Sequence, residues 1–544
     1  MLQSLKLTIT LLALAFFAAF TLLGAPAGAE SWAVQGTTTT TARPQPLTEQ
    51  ERRGRSLYLR GESASGSEIV AVVGELDVPA STMTCAGCHG ARGEGKTEGG
   101  VTAGSLVWSH LVKPYGHMHP SGRKHANPFT ESSFIRAVSN GVDPEGNDLL
   151  AAMPRYRMSA ADMADLIAYL KRIETDLDPG LSDTSLRVGV VLPAKGVLAE
   201  TGAAMKDVLA AYFDGVNSRG GVYNRKIELR VAEAGDDGAA TAAAARAFAR
   251  QEQVFAFVGG ISVGADAELA ALARDEEIPF IAPSTLTPQT GTPPNRYVFY
   301  LLSGVAEQAR ALVNFAASQK ELNKKRAAIV YTEGTLAVAA AAATEDQAKK
   351  SGWAGVTKQG YKADGFDAAQ IVRRLKQEGA ESVFVFGGEA SALVKEAAAL
   401  GWTPHVFFLG MMAGRDFPGE APAGFKDRVF LSFPTIPADV TPAGVAEFRA
   451  LQEKYKFAPR HVAAQLSAFA AAKIFVEGLQ RVGRDLSRER LVTALEGFYD
   501  FETGVTPRLT FGPNRRVGAA GAYVVTIDPE KKEFVPASGW VKAY

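Results

Sequence analysis

Beyond about residue 185, short apolar runs alternate with longer amphipathic segments along the chain. The apolar runs, which are typical of buried strands, lie at 186–192, 227–232, 255–258, 280–282, 327–331, 382–386 and 406–409. Segments with helical spacing, such as 203–217, fill the intervals. Strands that alternate with helices predict parallel sheets, so we expect this region to fold as an α/β domain.

The region before residue 179 has the pattern of a small helical domain. Thr48, with Glu51 three residues later, has the capping-box spacing that opens a helix. The stretch 129–141 carries apolar residues at helical spacing and ends at a glycine, as helices often do. A last amphipathic helix begins near Ser159 or Ala160. We therefore expect a multidomain chain with a small all-α domain before the α/β domain.

The domain boundaries follow from these patterns and from the length of the chain. At 544 residues the chain exceeds the size of a single hydrophobic core. The predicted segments are a helical domain over 47–178, a turn-rich linker over 179–184 and the α/β domain over 185–544.

The first 29 residues have the pattern of an export signal. Lys6 precedes an apolar run over 7–23, and Ala27-Gly28-Ala29 offers a cleavage site of the A-x-A kind. We predict a signal peptide over 1–29, a flexible leader over 30–46 and a periplasmic location. The apolar run is long for a signal peptide, so an uncleaved membrane anchor is the alternative.

The charge balance changes the expected class of partner. Lysine plus arginine and aspartate plus glutamate number 58 each, so the formal net charge is zero. A neutral chain without a basic segment gives no reason to expect nucleic acid or an anionic membrane surface as a partner.

The strongest chemical signal is the pentapeptide Cys85-Ala86-Gly87-Cys88-His89. Two cysteines three residues apart, followed at once by histidine, form the attachment pattern of c-type haem. Each thiol can add to one vinyl group of a porphyrin, and His89 then lies beneath the iron as its proximal ligand. The chain contains these two cysteines and no others. A thioredoxin-like redox pair and a disulfide beside a chance histidine are the alternatives.

The first domain resembles class I cytochrome c. The residues that carry the resemblance are the helix, the Cys-x-x-Cys-His motif, the sequence Met153-Pro154-Arg155-Tyr156, and a terminal helix that ends in Tyr169-Leu170. The resemblance implies one covalently attached haem c with Met153 as the distal ligand, a ligation that raises the reduction potential. Met158 and Met163 are rival ligands, although both fall in or beside the last helix and are better explained by packing.

Four further histidines lie in one loop of this domain, at His110, His117, His119 and His125. We favour a solvated surface segment. A distal histidine ligand and an adventitious metal site are the alternatives.

The second domain resembles the type I periplasmic binding proteins of the branched-chain amino-acid family. The matching stretches lie at 188–193, 217–222, 236–237, 258–260, 278–283 and 511–514. The resemblance implies two α/β lobes joined by a three-crossing hinge, with a ligand in the cleft between them. We expect the crossings near 303–307, 432–437 and 505–520.

Polar residues after predicted strands are the candidate ligand contacts, because ligands of open parallel sheets bind beyond the carboxyl ends of strands. Ser262, Ser284 and Thr285 are in such positions and offer hydroxyl groups for a carboxylate, with helix caps and turns as their alternative role.

This sequence also departs from the family at the places that contact a ligand amine. Leu286 and Leu336 replace residues that usually contact the ligand, and the tyrosine expected near Glu389 is missing. Glu389 itself offers a carboxylate for an amine. We therefore predict small organic acids, aromatic compounds or alcohol-derived metabolites in preference to leucine and its relatives.

These features together predict an exported electron-transfer protein that captures a small organic solute, and not an enzyme. The expected partners are that solute, a periplasmic redox partner such as a dehydrogenase or another cytochrome, and an ABC permease. Two alternatives are a ligand-gated redox sensor and a peroxidase-like haem enzyme with an open coordination site.

Overall fold

The structure is a computed structural model that describes residues 47–98, 100–113, 117–118, 124–125, 127–323, 325–353, 355–362, 364–414 and 416–544. The predicted signal peptide and leader, residues 1–46, lie outside the described residues. The predicted arrangement is confirmed: a small helical domain precedes a two-lobe α/β domain with parallel sheets.

The first domain is built on helices, as predicted. Its helices are α1 Glu49–Arg60, α2 Cys85–His89, α3 Trp108–Leu111, α4 Glu131–Asn140 and α5 Ala160–Leu170. Its strands are β1 Val70–Val73, β2 Leu76–Pro79, β3 Lys96–Glu98, β4 Val101–Ala103, β5 His117–Met118, β6 Lys124–His125 and β7 Arg155–Arg157. The predicted capping box is present, because the Thr48 side chain accepts from the backbone N–H of Glu51 and the Glu51 side chain accepts from that of Thr48.

A small antiparallel sheet in the order β2-β1-β7 supplements these helices, which an all-α prediction did not include. The apolar run of β1 pairs with β2 through a tight hairpin and with β7, which follows Met153-Pro154. The sheet thereby ties the loop of Met153 to the segment that leads into the Cys-x-x-Cys-His motif.

Helices α1 and α5 cross at very close range. At Gly54 of α1, an added Cβ atom would lie 2.0 Å from the backbone oxygen of Asp165 in α5. This contact needs glycine because any larger side chain would push the two helices apart. Tyr58, Leu166 and Leu170 extend from the crossing into the core of the domain.

Lobe 1 of the second domain contains a parallel sheet in the order β18-β12-β11-β10-β8-β9. The elements are β8 Ser185–Leu192, α6 Ala199–Asn217, β9 Lys226–Glu233, α7 Gly238–Glu252, β10 Ala256–Val258, α8 Asp266–Asp275, β11 Phe280–Ile281, β12 Val298–Leu302, α14 Pro442–Tyr455, α15 Val462–Val482, α16 Arg488–Glu496 and β18 Val517–Ala519. Helix α15 is long and apolar enough to cross a membrane, but its apolar stretch is 61% buried in the protein and forms part of the core of this lobe.

Lobe 2 contains a mixed sheet in the order β14-β13-β15-β16-β17-β19-β20. Its elements are α9 Val305–Ser318, β13 Ala327–Thr332, α10 Thr335–Lys350, β14 Thr357–Tyr361, α11 Ala368–Gln377, β15 Ser382–Phe386, α12 Ala390–Ala399, β16 His405–Leu409, α13 Phe417–Glu420, β17 Val429–Phe433, β19 Gly521–Asp528 and β20 Glu533–Lys542. Strand β15 is buried over its whole length, as expected for a parallel strand covered by helices on both faces.

Within the described residues the chain passes between the lobes at 303–304, 434–441 and 520, close to the predicted positions. Ser303 joins two of these crossings, because its Oγ donates to the oxygen of Ala519 at 2.9 Å and accepts from the N–H of Gly521 at 2.7 Å. Parallel strands of both lobes end at the crossings, so the carboxyl edges of the two sheets face each other.

The first domain packs against the opposite, amino edge of lobe 1. Arg55 and Arg60 of α1 reach the carboxylate of Glu277, which precedes β11, at 3.5 and 2.6 Å. Arg490 of α16 reaches Glu94, which lies close behind the Cys-x-x-Cys-His motif, at 3.4 Å. These ion pairs join the two domains along one side.

The segment that joins the domains is anchored as well as turn-rich. The carboxylate of Asp178 accepts from the backbone N–H of Arg488 at 2.6 Å and from Arg55 at 2.8 Å. The buried guanidinium of Arg488 in turn donates to the backbone oxygens of Val254 and Phe255 at 2.7 and 2.9 Å. Asp178, the residue just before the predicted linker, therefore holds the first domain against lobe 1.

Candidate functional site

The four residues predicted to bind haem line one cavity in the first domain. These residues are Cys85, Cys88, His89 and Met153. The rest of the lining is mostly apolar and includes Tyr58, Leu111, Phe129, Phe134, Val138, Leu149, Pro154, Tyr156, Leu166 and Leu170.

Local structure fixes the cysteine motif at the wall of this cavity. Thr84 caps α2 by accepting from the backbone N–H of Gly87 at 3.2 Å. On either side of the helix, a phenol donates to a backbone oxygen at 2.6 Å, from Tyr58 to Gly90 and from Tyr156 to Met83. Both tyrosines come from elsewhere in the fold, so the tertiary structure holds the motif at its two ends.

The imidazole of His89 is oriented by a backbone contact. Its Nδ1 lies 2.7 Å from the oxygen of Gly104, which can only accept, so Nδ1 carries the proton. In the neutral ring Nε2 then has the lone pair that binds a metal. Such a hydrogen bond from a ligating histidine fixes the ring and raises its basicity.

Met153 lies on a loop that a single arginine holds. The guanidinium of Arg155 donates to the backbone oxygens of Met153 at 2.5 Å and Leu149 at 3.1 Å. The rival methionines lie elsewhere: Met163 is buried in the domain core, and Met158 packs against that core beneath the motif. Of the three candidate methionines, Met153 alone lines the cavity that Cys85, Cys88 and His89 also line.

The cysteine side chains have different environments. Cys88 is exposed, whereas Cys85 is half-buried and packs against the domain core. Burial raises the pKa of the Cys85 thiol to about 12, so this thiol is protonated at neutral pH. No disulfide bond joins the two cysteines.

These residues fit a haem. Two thiols, an imidazole oriented to offer Nε2 and a thioether surround one apolar cavity, and the donor set is that of a His/Met-ligated c-type cytochrome. Of the four loop histidines, His110 lies near Ser105 at 3.3 Å and His119 lies outside the described residues. Among the residues the structure does describe, no group of three or more histidine, cysteine or acidic side chains could hold a metal ion.

The predicted hydroxyls of the cleft lie together at the carboxyl edge of lobe 1. Ser262 follows β10, and Ser284 and Thr285 follow β11. The Oγ of Ser284 lies 3.1 Å from that of Ser467, and the Oγ1 of Thr285 accepts from the N–H of Thr287 at 2.9 Å. The Oγ of Ser262 donates to a carboxylate oxygen of Asp266 at 2.7 Å.

Glu389 lies on the facing edge of lobe 2, after β15. Its carboxylate accepts from the phenol of Tyr361 at 2.5 Å, and Gly387 leaves room for this pair because an added Cβ would lie 2.1 Å from the phenol oxygen. Burial, followed by the contact with Glu389, raises the pKa of Tyr361, which keeps its proton at neutral pH.

The two leucines that mark departures from the family both pack against the core of lobe 2. Leu286 does so next to a hinge crossing, where its backbone oxygen accepts from the N–H of Val305 at 2.9 Å. Neither side chain can bond to a ligand amine.

Family comparison agrees with this architecture. The "Periplasmic binding protein" family model matches residues 185–533, and the "Cytochrome c" model matches residues 80–174. The chain belongs to the periplasmic binding protein family. Its first part is a cytochrome c domain, which implies a haem.

Curated relatives match the binding-protein domain. The Leu/Ile/Val-binding protein homolog 8 of Brucella abortus is 23% identical over 351 residues, which cover 61% of this chain and 85% of the relative. The Leu/Ile/Val-binding protein BraC3 of Rhizobium johnstonii is 21% identical over 336 residues, which cover 61% and 89%.

Solved structures share the fold of this binding protein at low identity. A branched chain amino acid ABC transporter from Thermus thermophilus with bound valine has a TM-score of 0.51 at 19% identity, covering 66% of this chain and 97% of that one. A fatty acid ABC transporter substrate-binding protein from Thermomonospora curvata has a TM-score of 0.50 at 19% identity, with 68% and 95% covered.

Three residues of the binding-protein cleft were missed from the sequence. Asp266 accepts hydrogen bonds from Ser262 and Thr287, and Tyr361 pairs with Glu389 across 28 positions of the chain. Tyr361 ends β14, whose other four residues are threonine, lysine, glutamine and glycine, so no apolar run marked this strand in the sequence. Asp266 opens a helix, where an acidic residue is ordinary, and offered no signal of its own.

Proposed function

We propose that this chain is an exported electron carrier fused to a solute-binding module. The observation that carries the proposal is the convergence of Cys85, Cys88, His89 and Met153 on one apolar cavity. Bound there, a single haem c would carry one electron at a time. The periplasmic binding protein family is typically periplasmic, which supports the predicted location and the signal peptide.

In this proposal each residue has a defined role. Cys85 and Cys88 hold the group covalently, His89 supplies Nε2 from a ring fixed by Gly104, and Met153 supplies a neutral thioether. Apolar walls exclude water from the cavity. A soft, neutral donor in a dry site favours the reduced state of an iron centre, so the chain is suited to electron transfer and not to catalysis.

Mass spectrometry of the exported protein tests the attachment. Cells competent in cytochrome maturation should yield a mass with one haem, and replacement of both Cys85 and Cys88 by alanine should abolish it. An unmodified mass for the wild-type protein would contradict the proposal.

A pair of methionine variants tests the ligand. Met153→Ala should lower the reduction potential and remove the methionine-to-iron charge-transfer band of the oxidised protein. Met158→Ala is the matched control, because Met158 packs against the domain core outside the cavity that Met153 lines. The reverse result would show that Met158 is the ligand.

The binding-protein domain captures a small organic solute between the facing edges of its lobes, in this proposal. Ser262, Ser284 and Thr285 serve from lobe 1, and Glu389 serves from lobe 2. Relatives of the same fold are named for solutes as different as valine and a fatty acid, so the fold alone leaves the solute open. The expected partners are an ABC permease and a periplasmic dehydrogenase or cytochrome.

Calorimetry with the full chain tests the amino-acid question. We expect no micromolar binding of leucine, isoleucine or valine, because Leu286 and Leu336 cannot accept a hydrogen bond from an amine. An α-ammonium placed against these two leucines has no side-chain acceptor there, and a buried ammonium without an acceptor costs several kcal/mol, enough to remove micromolar affinity. Micromolar binding of these amino acids would contradict this view of the cleft.

A further inference from the structure

A carboxylate lies among the hydroxyls of the lobe 1 edge. Asp266 is the first residue of α8, the helix that follows β10 in the chain. Its two oxygens accept from the Oγ of Ser262 at 2.7 Å and from the Oγ1 of Thr287 at 2.9 Å. The three side chains form one hydrogen-bonded set, which we call the Asp266 triad.

The direction of these hydrogen bonds decides what the triad can offer a solute. A hydroxyl has one proton, and an ionised carboxylate has none. Ser262 and Thr287 therefore donate their protons to Asp266, and only lone pairs remain on their oxygens for a further hydrogen bond. A solute carboxylate needs donors at this place, whereas a hydroxyl or ammonium group needs acceptors.

The facing edge of lobe 2 also carries a carboxylate that accepts a hydrogen bond from a hydroxyl group. Glu389 is a second carboxylate, and it accepts from Tyr361. Throughout the described part of the chain, no lysine, arginine or histidine nitrogen lies within 4.0 Å of the carboxylate of Asp266 or of Glu389. Negative charge thus lies on both edges without an adjacent cation.

We propose that the cleft selects a solute that donates hydrogen bonds and carries no negative charge, and that the Asp266 triad sets this selection. The inference rests on the proposed solute-binding function and narrows its solute class to alcohols and amines. It removes the organic acids from the classes that the sequence predicted. An anion about 5 Å from Asp266, at the effective dielectric constant of about 20 near a protein surface, would bind roughly 100-fold more weakly than an uncharged analogue.

A purely structural role for Asp266 predicts something different. An acidic residue in the first turn of a helix stabilises that helix through the helix dipole. Removing it would then weaken the binding of every solute alike, or only the stability of the fold. A selective role requires that the ratio of affinities between charge classes changes.

The test uses the full-length holo-protein and matched solute series. Each series keeps one carbon skeleton and varies the end group, for example 3-methylbutan-1-ol, 3-methylbutan-1-amine and 3-methylbutanoate. Several skeletons are screened by thermal shift, and calorimetry then measures the skeletons that bind. We expect the alcohol or the amine to bind at least tenfold more tightly than the carboxylate.

Variants then assign the selection to the triad. Asp266→Asn should reduce the affinity ratio of the alcohol or amine to the carboxylate by tenfold or more. Asp266→Ser is a second variant, with a short, polar and uncharged side chain. Asp275→Asn removes the same charge from the far end of α8 and should leave the ratio unchanged.

Three results would count against the reasoning in distinct ways. Carboxylates that bind the wild-type protein as tightly as their alcohols would overturn the inference while leaving the proposed function intact. An affinity ratio unchanged in both Asp266 variants would show that the triad does not set the selection. If no series and no branched-chain amino acid binds at all, the proposed solute-binding function is wrong and the inference falls with it.

Discussion

Replacing Gly180 by alanine tests whether the segment between the domains holds the cytochrome c domain in place. Gly180 has a φ of +85°, and an added Cβ would lie 2.3 Å from the oxygen of Gln253 and 2.5 Å from the nitrogen of Phe255. Ordinary van der Waals contact begins at 3.4 Å. The segment must therefore move by about 1 Å to admit the methyl group.

Three contributions set the expected cost. The left-handed backbone disfavours alanine by about 1–2 kcal/mol. The shift strains the hydrogen bond from the N–H of Arg187 to the oxygen of Gly180, 2.8 Å long, which contributes about 0.5–1.5 kcal/mol. It also strains the contact of Asp178 with Arg488, a hydrogen bond to a charged group that contributes about 1.5–3 kcal/mol. Alanine regains about 0.4–1 kcal/mol by restricting the unfolded chain, so we expect a net loss of about 2–6 kcal/mol.

Gly220→Ala is the matched control. Gly220 is in lobe 1, against which Gly180 packs. Its φ of +100° is also left-handed, and nothing lies within 4 Å of an added Cβ. Its replacement should cost only about 1 kcal/mol, the backbone contribution less the unfolded-state gain.

Limited proteolysis and thermal unfolding provide the measurements. Gly180→Ala should expose residues 171–184 to cleavage at a rate well above that of Gly220→Ala, and should separate the unfolding transition seen by haem absorbance from that seen by near-ultraviolet circular dichroism. Equal protease sensitivity and equal melting of the two variants would refute the idea that this segment anchors the domains.

Three further predictions concern the hinge, the thiols and one surface carboxylate. Ser303→Ala should leave the N–H of Gly521 without its buried acceptor and destabilise the protein by about 1–3 kcal/mol, measured by urea unfolding; a loss below about 0.5 kcal/mol would show that the crossings do not depend on this hydroxyl. In protein made without haem, iodoacetamide at pH 8 should label Cys88 faster than Cys85, whose pKa of about 12 leaves little thiolate, and equal rates by peptide mass spectrometry would contradict this. Hydrogen bonds from two lysines lower the pKa of Glu345 from 4.5 to about 2, so its stabilising contribution is full above pH 4.5 and is lost as the pH falls toward 2. Because this carboxylate is a surface group, Glu345→Gln should remove no more than about 1 kcal/mol of pH-dependent stability in acid unfolding curves.

The sequence drew attention to the four residues that line one cavity of the first domain because they are encoded locally. The pentapeptide at 85–89 contains Cys85, Cys88 and His89, and the position of Met153 before a proline and a terminal helix marks the fourth residue. The oxygen of Gly104, which orients His89, could not be predicted, since any backbone oxygen has the same chemistry.

The strands of the binding-protein domain were also predictable, because buried parallel strands are continuous apolar runs. Ser382–Phe386 agrees at both ends, and Ala327–Thr332 differs from the prediction by one residue. The polar contacts of the cleft were harder to predict, since the partners of Ser262 and Glu389 depend on which loops the fold brings together. The same reason applies to the docking of the first domain, where Arg488 meets Asp178 from 310 positions away.

The contact at the amino edge of lobe 1 also sets how the two proposed activities are related in space. Strand β8 runs for eight residues from that edge to the cleft, roughly 25 Å at about 3.3 Å per residue. If a flexible tether joined the two domains, the distance between them would vary over a range set by the length of the tether. The anchored segment holds the two domains at one fixed distance instead. Because the cytochrome c domain packs against lobe 1, its distance from the carboxyl edge of that lobe does not depend on the position of lobe 2.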